Sequence, residues 1–160
     1  MDIDAIMRTI HIIAGTIWFG QVVVINFVLI PSLGKFKSEE RKAFILTIFP
    51  KIFRVASHLS IIAVLTGIHL VVSLTDADLS NLLSGRWGLS ILIGGSLGIL
   101  LTLFHFFMEN RMAKKIGIAK DGNDDMVDDV HLKLKIVPRL GLVVITLILL
   151  LMINASRGIF

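Results

Sequence analysis

The chain has 160 residues, a hydrophobic fraction of 55% and a mean hydropathy of +0.87, more apolar than an ordinary soluble domain. The net charge of +4 and pI of about 9.7 invite a nucleic-acid reading, but the basic residues flank apolar runs instead of clustering on a soluble face, which excludes it. There is no Cys, which removes disulfides, thiolate zinc sites and iron–sulfur clusters together.

The first apolar run covers about 6–30 and stops at Pro31. It begins Met-Asp-Ile-Asp with no basic n-region, and no small-x-small site ends it, so it is expected to stay in the mature protein rather than act as a signal peptide. The segment that follows carries Lys35, Lys37, Arg41 and Lys42. Ser38 is placed to cap a short helix there, with Glu39 and Glu40 at its positive end. Pro50 then kinks or starts the second run, about 52–74. After a short acidic connection, "TDADLSNLLSGR", comes the third run, about 87–107, and after a long basic loop the fourth, about 136–155. The stretch "KDGNDDMVDD" in that loop reads as a solvated connector, because it lacks the spaced ligands and closing Glu of a calcium loop. Each run has about 20 residues, enough for a helix rising ~1.5 Å per residue to cross ~30 Å of hydrocarbon. The expectation is all-α: residues 1–160 form a single integral membrane four-helix bundle in contact with lipid.

Thirteen basic residues flank the first-to-second and third-to-fourth connections, against Arg8, Arg86 and Arg157 on the other side. The positive-inside rule therefore predicts a multi-pass cell-membrane protein with cytoplasmic long loops and outside termini.

The histidines sort by depth. His58 and His69 are eleven residues apart on the second helix, which places them ~20° from one face and ~16.5 Å apart along the axis. His11 on the first helix is expected level with His69 in the outer half, and His105 on the third level with His58 in the inner half. His131 stands near the inner end of the fourth helix as a fifth metal-ligand candidate. A lone intramembrane imidazole can simply hydrogen-bond between helices, but two level pairs on separate helices suit axial ligation of two haems. Small residues that would make room for a macrocycle are Ala14 and Gly15, one turn after His11, and Gly94 and Gly98 on the third helix; the same residues would also serve close helix packing. Cations suited to propionates are Arg8 and Arg86 outside, and Arg54 and Arg111 inside. Trp18, seven residues after His11, shares its face. Glu109, one turn after His105, is placed to orient that imidazole or carry protons. Met108 and Met112 follow His105 at a spacing that would serve copper.

Three stretches resemble a known group. "IHIIAGTIWFGQVVV", with His11, Trp18 and Gly20, is similar to the first helix of the copper-resistance CopD-like proteins and the HemJ-type protoporphyrinogen oxidases. "FRVASHLSIIAVLTGIHLVVS" resembles their second helix. "SGRWGLSILIGGSLGILLTLFHFFMENRM", with Trp87 and His105, resembles the third. The resemblance implies a compact four-helix membrane protein that binds haem b. Where both groups usually carry a Lys this chain has "ILIGGSL", and His58 and His69 look more like the two-haem arrangement of b-type cytochromes.

The resulting expectation is a b-type cytochrome with two haems, acting as an oxidoreductase. Its electrons would come from a quinol, a small reductant or a partner protein, and O2 or NO would be substrates wherever an axial position is open. The alternatives are a HemJ-like protoporphyrinogen oxidase and a CopD-like copper-handling protein. Gly-rich helix faces make a homodimer an open option.

Overall fold

The computed structural model describes residues 2–83, 85–120 and 125–157, with side chains described outside 79, 112, 115–120, 125–131 and 157. Among them there is helix and turn but no strand. The helices are α1 (Ile3–Val24), α2 (Ile30–Leu33), α3 (Ser38–Thr47), α4 (Phe49–Leu74), α5 (Arg86–Lys120) and α6 (Asp125–Arg157). Four spans are long and apolar enough to cross a membrane: Ile3–Leu33, Ser38–Leu74, Arg86–Arg111 and Leu132–Ser156. The chain is an all-α, multi-pass membrane protein.

The helices outrun the apolar runs because a helix satisfies its own backbone beyond the hydrocarbon edge. Pro31 does not stop the first span. A π-helical stretch, Ile25–Leu29, precedes it, and the helix continues through α2 with Pro31 in its first turn. A wider π turn leaves room where a proline ring would otherwise press on the carbonyl one turn back. Lys37, not Ser38, is the N-cap of α3. Its amide donates to the Glu40 carboxylate at 3.1 Å, one half of a capping box, and this bond fixes the helix start one residue earlier than expected. Pro50 does sit in the first turn of α4, where its missing N–H costs nothing.

α4 packs against α1 on one side and α5 on the other; α5 packs along α6, and α6 returns to touch α1. Two apolar clusters fill the centre. One joins Ala14, Trp18, Val22, Ala56, Ala63, Leu101 and Ile145 from all four spans. The other joins Ile25, Ile30, Leu33, Ile45, Phe49, Phe53 and Leu134 at the α3 end. The outward faces stay apolar, with Phe27 69%, Val143 67% and Leu65 61% exposed, a surface that hydrocarbon covers and water would not.

The connection from α4 to α5 reverses through Asp76 and Ala77, both left-handed at φ 50° and 62°. Asp78 then caps a single 3-10 turn, Leu79–Leu82. Its carboxyl is held below the usual carboxylate range, first by the Ser80 side chain and then by the Ser80 amide. The first turn of α5 sits directly on this cap: a Cβ on Gly88 would lie 2.3 Å from the Leu82 carbonyl oxygen.

Candidate functional site

The described histidines differ in what they touch. His11 of α1 points at α4. Its Nδ1 lies 2.8 Å from the Ala63 carbonyl oxygen and 3.3 Å from Thr66 Oγ1. Gly67 makes the slot for this ring, because a Cβ there would lie 3.0 Å from His11 Cε1. His69 is half-buried further out on α4, and its Nε2 is 3.0 Å from Asp4 Oδ1. Ser73 Oγ donates to the other oxygen of the same carboxylate at 2.5 Å. Asp4 and His11 lie seven residues apart on α1, two turns along one face, and each supplies a partner to α4.

The expected outer pair is therefore not assembled as a pair. His11 rests edge-on against the α4 backbone, and His69 is tied to a carboxylate one to two turns away. With α1 and α4 in direct contact, no macrocycle fits between them.

Nearer the α3 end of the bundle, His105 is partly buried beside Trp18, with ring centroids 5.6 Å apart at 64°. Its Nδ1 is 3.0 Å from the Leu101 carbonyl oxygen. Glu109, one turn on, accepts a hydrogen bond from Ser57 Oγ of α4 instead of orienting the imidazole. His58 follows Ser57, and one residue turns a helix ~100°. It therefore leaves α4 about a quarter-turn round from the Ser57–Glu109 contact, exposed among Arg54, Val55, Ile62 and Leu65. Its Nδ1 is 2.6 Å from the Arg54 carbonyl oxygen. His58 and His105 are level but point in different directions, so the expected inner pair is not assembled within one chain either. The side chain of His131, within α6, lies outside the described residues.

The candidate small residues divide. Ala14 is in the central cluster, while Gly15 and Gly98 have no atom within 4 Å of a Cβ position. Gly94 faces α6, with Met152 Cε 2.5 Å from its Cβ position, so it serves helix packing. The cations divide as well. Arg8 is exposed one turn from Asp4. Arg54 is one turn from His58. Arg111 lies over the Phe107 ring at 5.9 Å, on its own helix. Arg86 lines a shallow groove of about 230 Å³ between α5 and α6, with Ser90 and Asn154, away from His11 and His69. A second void of about 10 Å³ lies among Phe53, Met108, Leu134 and Pro138. Neither void reaches the ~300 Å³ at which small-molecule sites begin, and neither lies between the paired histidines. Met108 packs on the apolar cluster at the α3 end, and among the described residues no three His, Asp or Glu side chains gather around one point.

Haem fits the donor chemistry of some of these residues and not others. A carbonyl only accepts, so His11, His58 and His105 each carry a proton on Nδ1 when neutral and keep the Nε2 lone pair. No hydrogen bond reaches Nε2 of any of the three among the described residues. Axial imidazoles are held in this way, by a backbone acceptor on the remote nitrogen. His69 has the opposite arrangement, with Nε2 engaged by Asp4. Of the three, His58 alone is an exposed residue.

Sequence reasoning missed Asp4, Ser57, Gly67, Gln21 and Asn26. Gln21 Nε2 donates to the Ile52 carbonyl oxygen at 2.6 Å, and Asn26 Nδ2 to the Pro138 carbonyl oxygen at 2.9 Å. Polar residues inside an apolar helix were the available signal. Compared with known proteins, the chain matches no family model, no curated protein and no solved structure.

Proposed function

We propose that this chain is an integral-membrane b-type cytochrome acting as an oxidoreductase, with haem held through imidazole Nε2. The observation that carries the reading is the shared state of His11, His58 and His105, with Nδ1 held by a backbone carbonyl and the Nε2 lone pair free. Bound haem b would supply reversible one-electron chemistry. His58 is the donor best placed to hold it, and Arg54, one turn toward the loop side, would meet a propionate. His11 acts as a strut that locks α1 to α4. His69 is left out as a ligand, and the outer haem with it, because the Asp4 carboxylate already occupies its Nε2.

The proposal includes the orientation drawn from the basic residues, with termini outside and both long loops cytoplasmic. His58 and His105 then lie in the cytoplasmic half. A quinol or a partner protein as donor, and O2 or NO as acceptor, belong to the same proposal. The copper-handling reading gains nothing from Met108, which faces an apolar cluster.

The test compares haem content in two variants by pyridine haemochromogen assay. His69→Ala should retain the wild-type content, whereas His58→Ala should lose most of it. Loss of haem in His69→Ala with full retention in His58→Ala would reverse the assignment.

A further inference from the structure

The groove of about 230 Å³ between α5 and α6 changes its chemistry with depth. Arg86 is the first residue of α5, beside the exposed Trp87, at the level where cations and aromatics meet the headgroups. One turn deeper, Ser90 is 5% exposed and its Oγ accepts a hydrogen bond from Asn154 Nδ2 at 2.8 Å. Two turns deeper the lining is Ile93 of α5 and Leu151 of α6. There the helices come together, with Leu151 Cβ 3.4 Å from the Cβ position of Gly94. Arg86, Ser90 and Ile93 follow each other at helical spacing and share one face. The groove therefore runs from a cation, past a polar step, to an aliphatic end over ~10.5 Å, seven residues at ~1.5 Å each.

Two further observations say what fills it. Leu89 and Ile93 are 44% and 49% exposed, so the groove opens on the outside of the bundle. In a bilayer that outside is lipid, and an unfilled apolar groove would forfeit its dispersion contacts. The Arg86 guanidinium has no ion pair among the described residues. Of the carboxylates in the preceding connection, Asp78 is held by Ser80, and Asp76 does not reach Arg86. The positive charge at the mouth is thus left for an external anion.

We propose that this groove binds one anionic phospholipid, with its phosphate on Arg86 and the upper part of one acyl chain along Ile93 and Leu151. A guanidinium offers a planar fork of donors that fits phosphate oxygens. A zwitterionic lipid brings its own ammonium, which offsets that attraction; a lipid with net negative charge does not. The volume is too small to enclose a drug-sized molecule, but a lipid leaves most of its length in the bilayer and needs only this short stretch of wall. The site requires neither the haem reading nor a particular orientation of the chain.

The test uses the full chain in detergent micelles, titrated with dioleoylphosphatidylglycerol or dioleoylphosphatidylcholine, with bound lipid counted by native mass spectrometry. The wild type should retain one phosphatidylglycerol per chain and prefer it to phosphatidylcholine by about fivefold, the selectivity one cation beside an anionic headgroup supplies. Arg86→Gln should abolish the preference while leaving phosphatidylcholine binding unchanged, and Arg86→Lys should restore part of it. Arg8→Gln removes a cation at the same end of the bundle but outside the groove, and should keep the preference. Ile93→Trp, which fills the apolar end, should lower retention of both lipids with Arg86 intact. Unchanged melting temperatures in Arg86→Gln and Ile93→Trp separate these effects from misfolding; should either variant unfold, Arg86→Lys and Arg8→Gln still carry the comparison. Equal retention of the two lipids by the wild type, or equal loss of preference in Arg8→Gln and Arg86→Gln, overturns the site. Displacement of the lipid by millimolar inorganic phosphate overturns it as a lipid site and leaves an anion site at Arg86.

Discussion

Glycines at three positions show how far a single side chain is specified by what it meets. At Gly94 a Cβ would approach the terminal methyl of Met152, the flexible end of an adaptable side chain. At Gly67 it would press on the His11 ring at 3.0 Å, which can give by a few tenths of an ångström. At Gly88 it would meet backbone, with Leu82 O at 2.3 Å and Leu82 Cα at 2.5 Å, and backbone in a capped turn has nowhere to go. Gly88→Ala should therefore destabilise the fold by ~1–3 kcal/mol, the range for overpacking, while Gly94→Ala stays within ~1 kcal/mol. Thermal unfolding of both variants in detergent checks the order, and equal melting temperatures would contradict it. The histidines were legible in the sequence because they interrupt apolar runs, and so were their positions along each helix. Their directions were not. His58 and Ser57 are neighbours in sequence, yet one faces lipid and the other α5. Only the neighbouring helices decide which direction is inward.

At the scale of elements, length and composition located all four spans, and the start of α3 was legible to within one residue. Pro31 misled because the rule that proline ends a helix assumes an unbroken α register. The π stretch at Ile25–Leu29 shifts that register, and Asn26 within it ties α1 to α6 through the Pro138 carbonyl. Pro138 lies inside α6, so both proline-bearing regions meet near the same cross-link. The pairing of Asp4 with His69 escaped the sequence reading for a related reason. Asp4 lies before the apolar run and reads as a solvated end, but α1 begins at Ile3 and carries it alongside the last turns of α4. The two histidines of the expected outer pair do not meet each other: His11 rests on the α4 backbone and His69 on the Asp4 carboxylate.

For the whole molecule, the bundle itself follows from four apolar runs, whereas its sidedness rests on charge alone. The proposed orientation is checked by single cysteines placed in a chain that has none. In intact cells an impermeant maleimide should label Ser80→Cys in the α4–α5 connection and leave Lys37→Cys unlabelled until the membrane is broken. The reverse pattern would place the basic loops outside. The proposed function depends at this scale on one property that neither packing nor charge supplies, a redox centre bound within the bilayer. The direct measurement is the dithionite-reduced minus oxidised absorption spectrum of the purified full chain. A protein that holds haem through imidazole should show the sharpened α and β bands and shifted Soret band of a b-type cytochrome. A flat difference spectrum, before and after incubation with haemin, would contradict the account.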